Sequence, residues 1–172
     1  LKNIGGLVDL VFNSGRFHET EKLMVSLYGS AFAFYERAEA VFRKEKNASH
    51  RHWEFLAGFF IDIINADFEE KVPLLIDCLR WDWCSAMKAH HYPGILKSDL
   101  TVQAKREGFR FFIERSENKV INFKGSAFLL NDLRRSIFFL PQTDAFSEKM
   151  KDKMALFLPD RRIVFFNPEI SE

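Results

Sequence analysis

Helical spacing of apolar residues runs through the first two thirds of this chain and then stops. That change constrains the fold more than any single residue. As far as Arg115 the apolar side chains recur at three- and four-residue intervals, as on the buried face of a helix. Beyond it they come in short runs at 120–123, 136–140, 155–158 and 163–166, rich in β-branched and aromatic residues and strand-like. The expectation is an α+β chain: a mainly α-helical body over 1–117 with a small C-terminal antiparallel β element over 118–168. The whole of 1–172 is expected to pack as a single domain. The missing initiator Met suggests a fragment of a longer multidomain chain.

Individual helices follow from local signals. Leu7, Val8, Leu10, Val11 and Phe12 make a short one, stopped by Asn13-Ser14-Gly15. Leu23, Met24 and Leu27 make a second, ended by Tyr28-Gly29-Ser30. A third starts at Ser30, carries Phe34, Ala38, Val41 and Phe42, and finishes in the cationic stretch Arg43-Lys44-Glu45-Lys46. Asn47 or Ser49 is placed to cap a fourth, with Trp53, Leu56, Ala57, Phe60 and Ile64 on one side. The fifth opens either on a capping box at Asp67-Phe68-Glu69-Glu70 or with Pro73 in its first turn. It runs to about Lys88, and Pro93-Gly94 breaks the chain. From 101 to 115, Val102, Phe109, Phe112 and Ile113 favour a helix, while Phe109, Phe111 and Ile113 alternate as in a strand. Pro159-Asp160-Arg161 is a turn signal that predicts a terminal hairpin.

Chemistry-bearing residues are densest between Leu74 and Pro93, which hold both cysteines, two of the three tryptophans and two of the five histidines. On one continuous helix Val72, Leu75, Leu79, Trp83 and Ala86 share a side, and Asp82 falls in the middle of that apolar stripe. A carboxylate there must be paired, neutralised or exposed at an opening. One reading is a structural pair with an arginine or a buried amide. The other is a ligand-facing acid, with Trp81, Trp83, His90 and His91 around a pocket for a flat or apolar ligand.

Cys78 and Cys84 are six residues apart, about 9 Å along a helix and about 120° around it. They cannot form a disulfide there, and the spacing matches no common zinc motif. A metal on Cys84, His90 and His91 needs a break near Ala89 and a further ligand, so no metal site is assigned. Cys78 reads as core and Cys84 as half-buried. His50-Arg51-His52-Trp53 reads as a solvated face at a helix start. Arg134-Arg135 and Arg161-Arg162 flank strands, where charge discourages edge pairing as readily as it binds anions.

The class of protein is bounded mainly by exclusion. With 28% charged residues and a net charge of +1, nothing draws the whole chain to nucleic acid or an anionic membrane. The apolar run from Phe55 to Ile64 is too short to span a bilayer, and no secretory signal is visible. Two cysteines make no disulfide framework, so a cytoplasmic location is expected. Twenty phenylalanines predict an aromatic-rich core. There is no glycine-rich phosphate loop, no G-x-S-x-G and no H-E-x-x-H, and no catalytic residue is assigned.

The run Leu7-Val8-Asp9-Leu10-Val11-Phe12-Asn13-Ser14-Gly15-Arg16-Phe17 resembles the segment that follows the catalytic barrel in one group of cobalamin-binding radical SAM proteins. There a helix ends in a similar Asn-Ser-Gly-Arg-Phe run and leads into a C-terminal domain of unknown function. Ser30-Ala31-Phe32-Ala33-Phe34-Tyr35-Glu36, the helix around Asp77-Cys78-Leu79-Arg80-Trp81-Asp82-Trp83, Phe138-Phe139-Leu140-Pro141 and Phe165-Phe166-Asn167-Pro168 are also similar. The resemblance implies a parent iron–sulfur oxidoreductase or methyltransferase-like enzyme. That parent would use a [4Fe-4S] cluster, S-adenosylmethionine and cobalamin. The partners of this chain would be the N-terminal cobalamin-binding and radical SAM domains of the same polypeptide. The chain itself lacks the C-x-x-x-C-x-x-C cluster motif. It is therefore expected to be a non-catalytic accessory domain without a cofactor of its own, shaping substrate access. An apolar patch near its N-terminal helices is expected to face the parent.

Overall fold

The computed structural model describes residues 2–42, 53–86, 90–150 and 153–168. Their contacts separate the chain into two compact units, Leu1–Ala86 and Met87–Glu172.

The first unit is helical: α1 (Lys2–Val11), α2 (His18–Tyr28), α3 (Ala31–Phe42), α4 (Trp53–Asp67) and α5 (Val72–Ala86). Its core is aromatic. Phe17 is fully buried, stacked on Trp53 with centroids 5.2 Å apart and edge-on to Phe60, and Phe34, Met24, Leu56, Ile64 and Leu79 complete the packing. Trp83 meets Trp53 edge-on at 4.8 Å.

Local signals explain most of the helix ends. Gly29 closes α2 at φ 76°, a left-handed geometry that suits glycine. Ser30 Oγ accepts the Ala33 amide proton and so starts α3. The proposed capping box at 67–70 does not form. Asp67 is the last residue of α4, Glu69–Lys71 make a 3-10 turn, and α5 opens at Val72 with Pro73 in its first turn. The Asp67 carboxylate is taken by α3: Arg37 Nε and Nη2 donate to its two oxygens at 2.7 and 2.6 Å, and the Tyr28 hydroxyl donates at 2.5 Å. The cationic end at 43–46, the caps Asn47 and Ser49, and His50-Arg51-His52 lie outside the described residues, as does Lys88.

In the second unit the ambiguous 101–115 segment is helix α6 (Asp99–Ile113). Ser98 and Thr101 cap it reciprocally, each side chain accepting the other's amide proton. Two antiparallel sheets follow. One is β1 (Ser116–Glu117), β2 (Val120–Phe123) and β3 (Ser126–Leu129). The other is β4 (Ile137–Phe139), β5 (Met154–Phe157) and β6 (Ile163–Phe166). Short helices α7 (Leu130–Arg134) and α8 (Asp144–Met150) lie between strands in sequence. The expected terminal hairpin is β5–β6, with Phe157 opposite Ile163 and the Arg161 amide donating to Leu158 across the turn.

Aromatic rings also fill this unit's core. Phe112 is fully buried and packs against Phe111, Phe123, Phe128, Phe138 and Phe166. One backbone approach sets the spacing of helix and sheet. A Cβ built on Gly108 of α6 would lie 2.2 Å from the Phe138 ring of β4, so only glycine fits. Among the described residues no helix is long and apolar enough to cross a membrane.

Candidate functional site

The Asn13 to Phe17 run turns the chain from α1 into α2, and each of its residues has a mechanical task. Asn13 Nδ2 donates to Asp9 Oδ1, and Ser14 Oγ accepts from the Arg16 amide while donating to the Val11 carbonyl. Gly15 takes φ 63°, and Arg16 Nη2 reaches the Leu10 carbonyl at 3.4 Å, which suits the negative end of α1. Phe17 plugs the core.

The start of α2 has no cap from its own N-terminal neighbour, since Phe17 offers no acceptor. Asp82 on α5 supplies it. Its Oδ1 accepts the Glu19 amide proton at 2.9 Å and its Oδ2 the Thr20 amide proton at 2.8 Å. These are the orphan donors of a first helical turn, and a carboxylate suits the positive end of the dipole. Burial pushes the Asp82 carboxyl up to about 6, against the lowering effect of the two amide bonds. Of the two sequence readings, the structural pair with a buried amide is the one that these hydrogen bonds describe.

The residues around it differ in setting. Trp83 is buried against Trp53, and Trp81 is half-buried. Cys78 and Cys84 are not joined in a disulfide and both are buried, so Cys84 lies deeper than the half-buried position expected for it. Six residues apart on one helix, they do not fit the three-cysteine motif of a cluster. Among the described residues no group of three or more His, Cys, Asp or Glu side chains is placed to hold a metal ion.

His90 and His91 belong to the second unit and are exposed. His90 Nδ1 donates to the Arg135 carbonyl at 2.8 Å. Both histidines line a cavity of about 450 Å³ with Lys97, Val102, Lys105 and Arg106. A second cavity of about 550 Å³ shares Lys105 and Arg106 and adds Phe109, Arg110, Ile113 and Arg134. Sequence reading singled out His90, His91 and Arg134 among these and missed the α6 cations. Their signal was present, because Val102, Lys105, Arg106, Phe109, Arg110 and Ile113 recur at helical spacing. In sequence the apolar members of that series point to a helix and to nothing more.

These features define an α+β chain whose helical unit is locked at a buried carboxylate and whose mixed unit carries cationic cavities. The chain belongs to the family described as "Protein of unknown function (DUF4080)", whose model matches residues 1–153 and so spans α1 to α8. Neither a curated protein nor a solved structure matches it.

Proposed function

We propose that this chain is a non-catalytic accessory domain of a cobalamin-binding radical SAM protein, and that its α1–α3 face meets the domains that precede it. The observation that carries the proposal is the exposure of two phenylalanines, one just past the end of α1 and one in the first turn of α3. Phe12 directly follows α1 and is 57% exposed; Phe32 opens α3 and is 67% exposed. Phe12 lies in the run that resembles those proteins, and Phe32 in the similar segment Ser30 to Glu36. Isolated exposed phenylalanines are common, but two at the ends of a packed helix pair suit a contact with a further domain.

The cluster, S-adenosylmethionine and cobalamin belong in this reading to the preceding domains, where they supply the redox and radical chemistry. Cys78 and Cys84 take no part in binding them. The role of this chain is to cover or shape the approach to that chemistry. The alternative of a stand-alone module for a flat ligand around Trp81 and Asp82 is weaker, because both Asp82 oxygens already hold α2.

The test is anaerobic expression of the longer natural chain, with metal and corrinoid analysis and hydroxyl-radical footprinting. Iron–sulfur and corrinoid absorption in the longer chain, with Phe12 and Phe32 protected there and oxidised in residues 1–172 alone, is the expected result. A natural chain that starts near Leu1 and carries neither cofactor overturns the proposal.

A further inference from the structure

We propose that the solvent face of α6 is a binding groove for a small amphiphilic anion, a molecule with a carboxylate or phosphate head and an unbranched apolar body. The groove lies wholly within the second unit and does not depend on the accessory-domain reading.

The face is defined by helical geometry. At about 100° per residue, Val102, Phe109 and Ile113 fall within about 40° of one another, Lys105 flanks them on one side, and Arg106 and Arg110 flank them on the other. The core side of the helix is separate, made of Ala104, Gly108, Phe111 and Phe112. The two ends of the outer stripe are left in water, with Val102 68% exposed and Ile113 42%, while Phe109 between them is half-buried against the core. From Val102 to Ile113 it spans about 16 Å.

The two cavities share Lys105 and Arg106 of this face and so adjoin there. Each has the volume usual for small-ligand sites. Ile137 and Phe138 of β4 add apolar surface to the first, and Phe109 adds it to the second.

Charge gives the head group. Lys97, Lys105, Arg106, Arg110 and Arg134 line the cavities, and among the described residues no aspartate or glutamate does. Among the described residues none of these five forms an ion pair, whereas Arg37 and Arg162 do. The chain as a whole is nearly neutral, at +1, so this concentration of cations is local. Unneutralised cations beside exposed apolar side chains match a ligand that carries both properties, and match neither an inorganic anion nor a neutral lipid.

The experiment is calorimetric titration of the 172-residue chain with octanoate and octyl phosphate below their micellar concentrations. Inorganic phosphate, octyl glucoside and octyltrimethylammonium serve as comparison ligands, and circular dichroism follows the fold throughout. The expected result is saturable binding of one octyl anion per chain, at least about tenfold tighter than any comparison ligand. Lys105→Glu with Arg106→Glu, and separately Val102→Asp, should weaken it by about tenfold or more, while the exposed turn variant Lys119→Glu leaves it unchanged. Because the groove substitutions are all at exposed positions, retained ellipticity separates lost binding from lost folding. Equal affinity for neutral and anionic octyl ligands, inorganic phosphate binding as tightly as octyl phosphate, or no effect of the groove variants would each overturn the proposal.

Discussion

Asp82 caps Thr20 from 62 residues away: its Oδ2 accepts the Thr20 amide proton at 2.8 Å, while the other oxygen takes Glu19. A helix whose own N-terminal neighbour is a phenylalanine thereby obtains its cap from another helix. The cap also fixes where α2 meets α5, because the carboxylate satisfies two donors only in that register.

Removing the carboxylate should expose this dependence. Asp82→Ala leaves two amides without their acceptor, and a loss of about 1–3 kcal/mol is expected in urea denaturation. Asp82→Asn retains one acceptor oxygen and should lose about 1 kcal/mol.

The pH dependence follows from the direction of the shift. With the folded carboxyl near 6 and the ordinary value at 3.8, folded Asp82 holds a proton between those values that the unfolded chain has released. Its contribution is therefore complete below 3.8 and declines as pH rises towards and through about 6. The decline is on the order of 2–3 kcal/mol. Denaturation of the wild type and Asp82→Asn from pH 4 to 7 should show this component in the first and not in the second.

Asp67 behaves in the opposite sense. Hydrogen bonds from Arg37 hold its carboxyl below the usual range, so its contribution is present above the ordinary carboxylate value and is lost as pH falls through the folded one. As the last residue of α4 it faces the negative end of that helix dipole, which Arg37 offsets. Arg37→Ala should lower stability by about 1 kcal/mol, discounted for its partial exposure, and should raise the Asp67 carboxyl as followed by NMR titration.

Gly108→Ala tests the approach of α6 to β4. Helix propensity alone favours alanine by about 1 kcal/mol. The Cβ, however, meets Phe138 Cδ1 at 2.2 Å and Cε1 at 2.4 Å, and that ring is buried. Overpacking of this kind costs about 1–3 kcal/mol, so a net loss is expected in thermal unfolding. A gain would mean that the ring moves aside freely.

Lys119→Gly should stabilise the second unit. Asn118 and Lys119 form the two-residue turn between β1 and β2 at φ 50° and 66°, and Lys124 and Gly125 repeat it between β2 and β3 at 48° and 78°. A lysine in the left-handed region carries a strain that glycine does not. The expected gain is about 0.5–1 kcal/mol in chemical denaturation.

Those turns also show where the sequence stopped being legible. The helices and the strands at 120–123 and 163–166 followed from periodicity and turn residues. β1 and β3 did not, because each turn has a lysine at one of the two central positions, where a type I′ turn favours asparagine, aspartate or glycine. Periodicity identified α6 as a helix but left its face open, since Phe111 and Phe112 turn inward while Val102 and Ile113 remain in water. Asp82 was conspicuous in its apolar stripe, yet its partners were not, because backbone amides carry no residue-type signal. The cations of the α6 groove were spread over positions 97 to 134 and converge only on folding.

The corner between α1 and α2 also bears on how kinship with this chain should be read. Asn13, Ser14, Gly15, Arg16 and Phe17 are consumed in bending the backbone and plugging a hole beside Trp53. Another polypeptide bearing that pentapeptide inherits a hinge shape, and its substrate has to be sought elsewhere. The letters most easily matched by eye report on carpentry, whereas scattered lysines and arginines, which no short motif captures, are where relatives with different ligands would diverge.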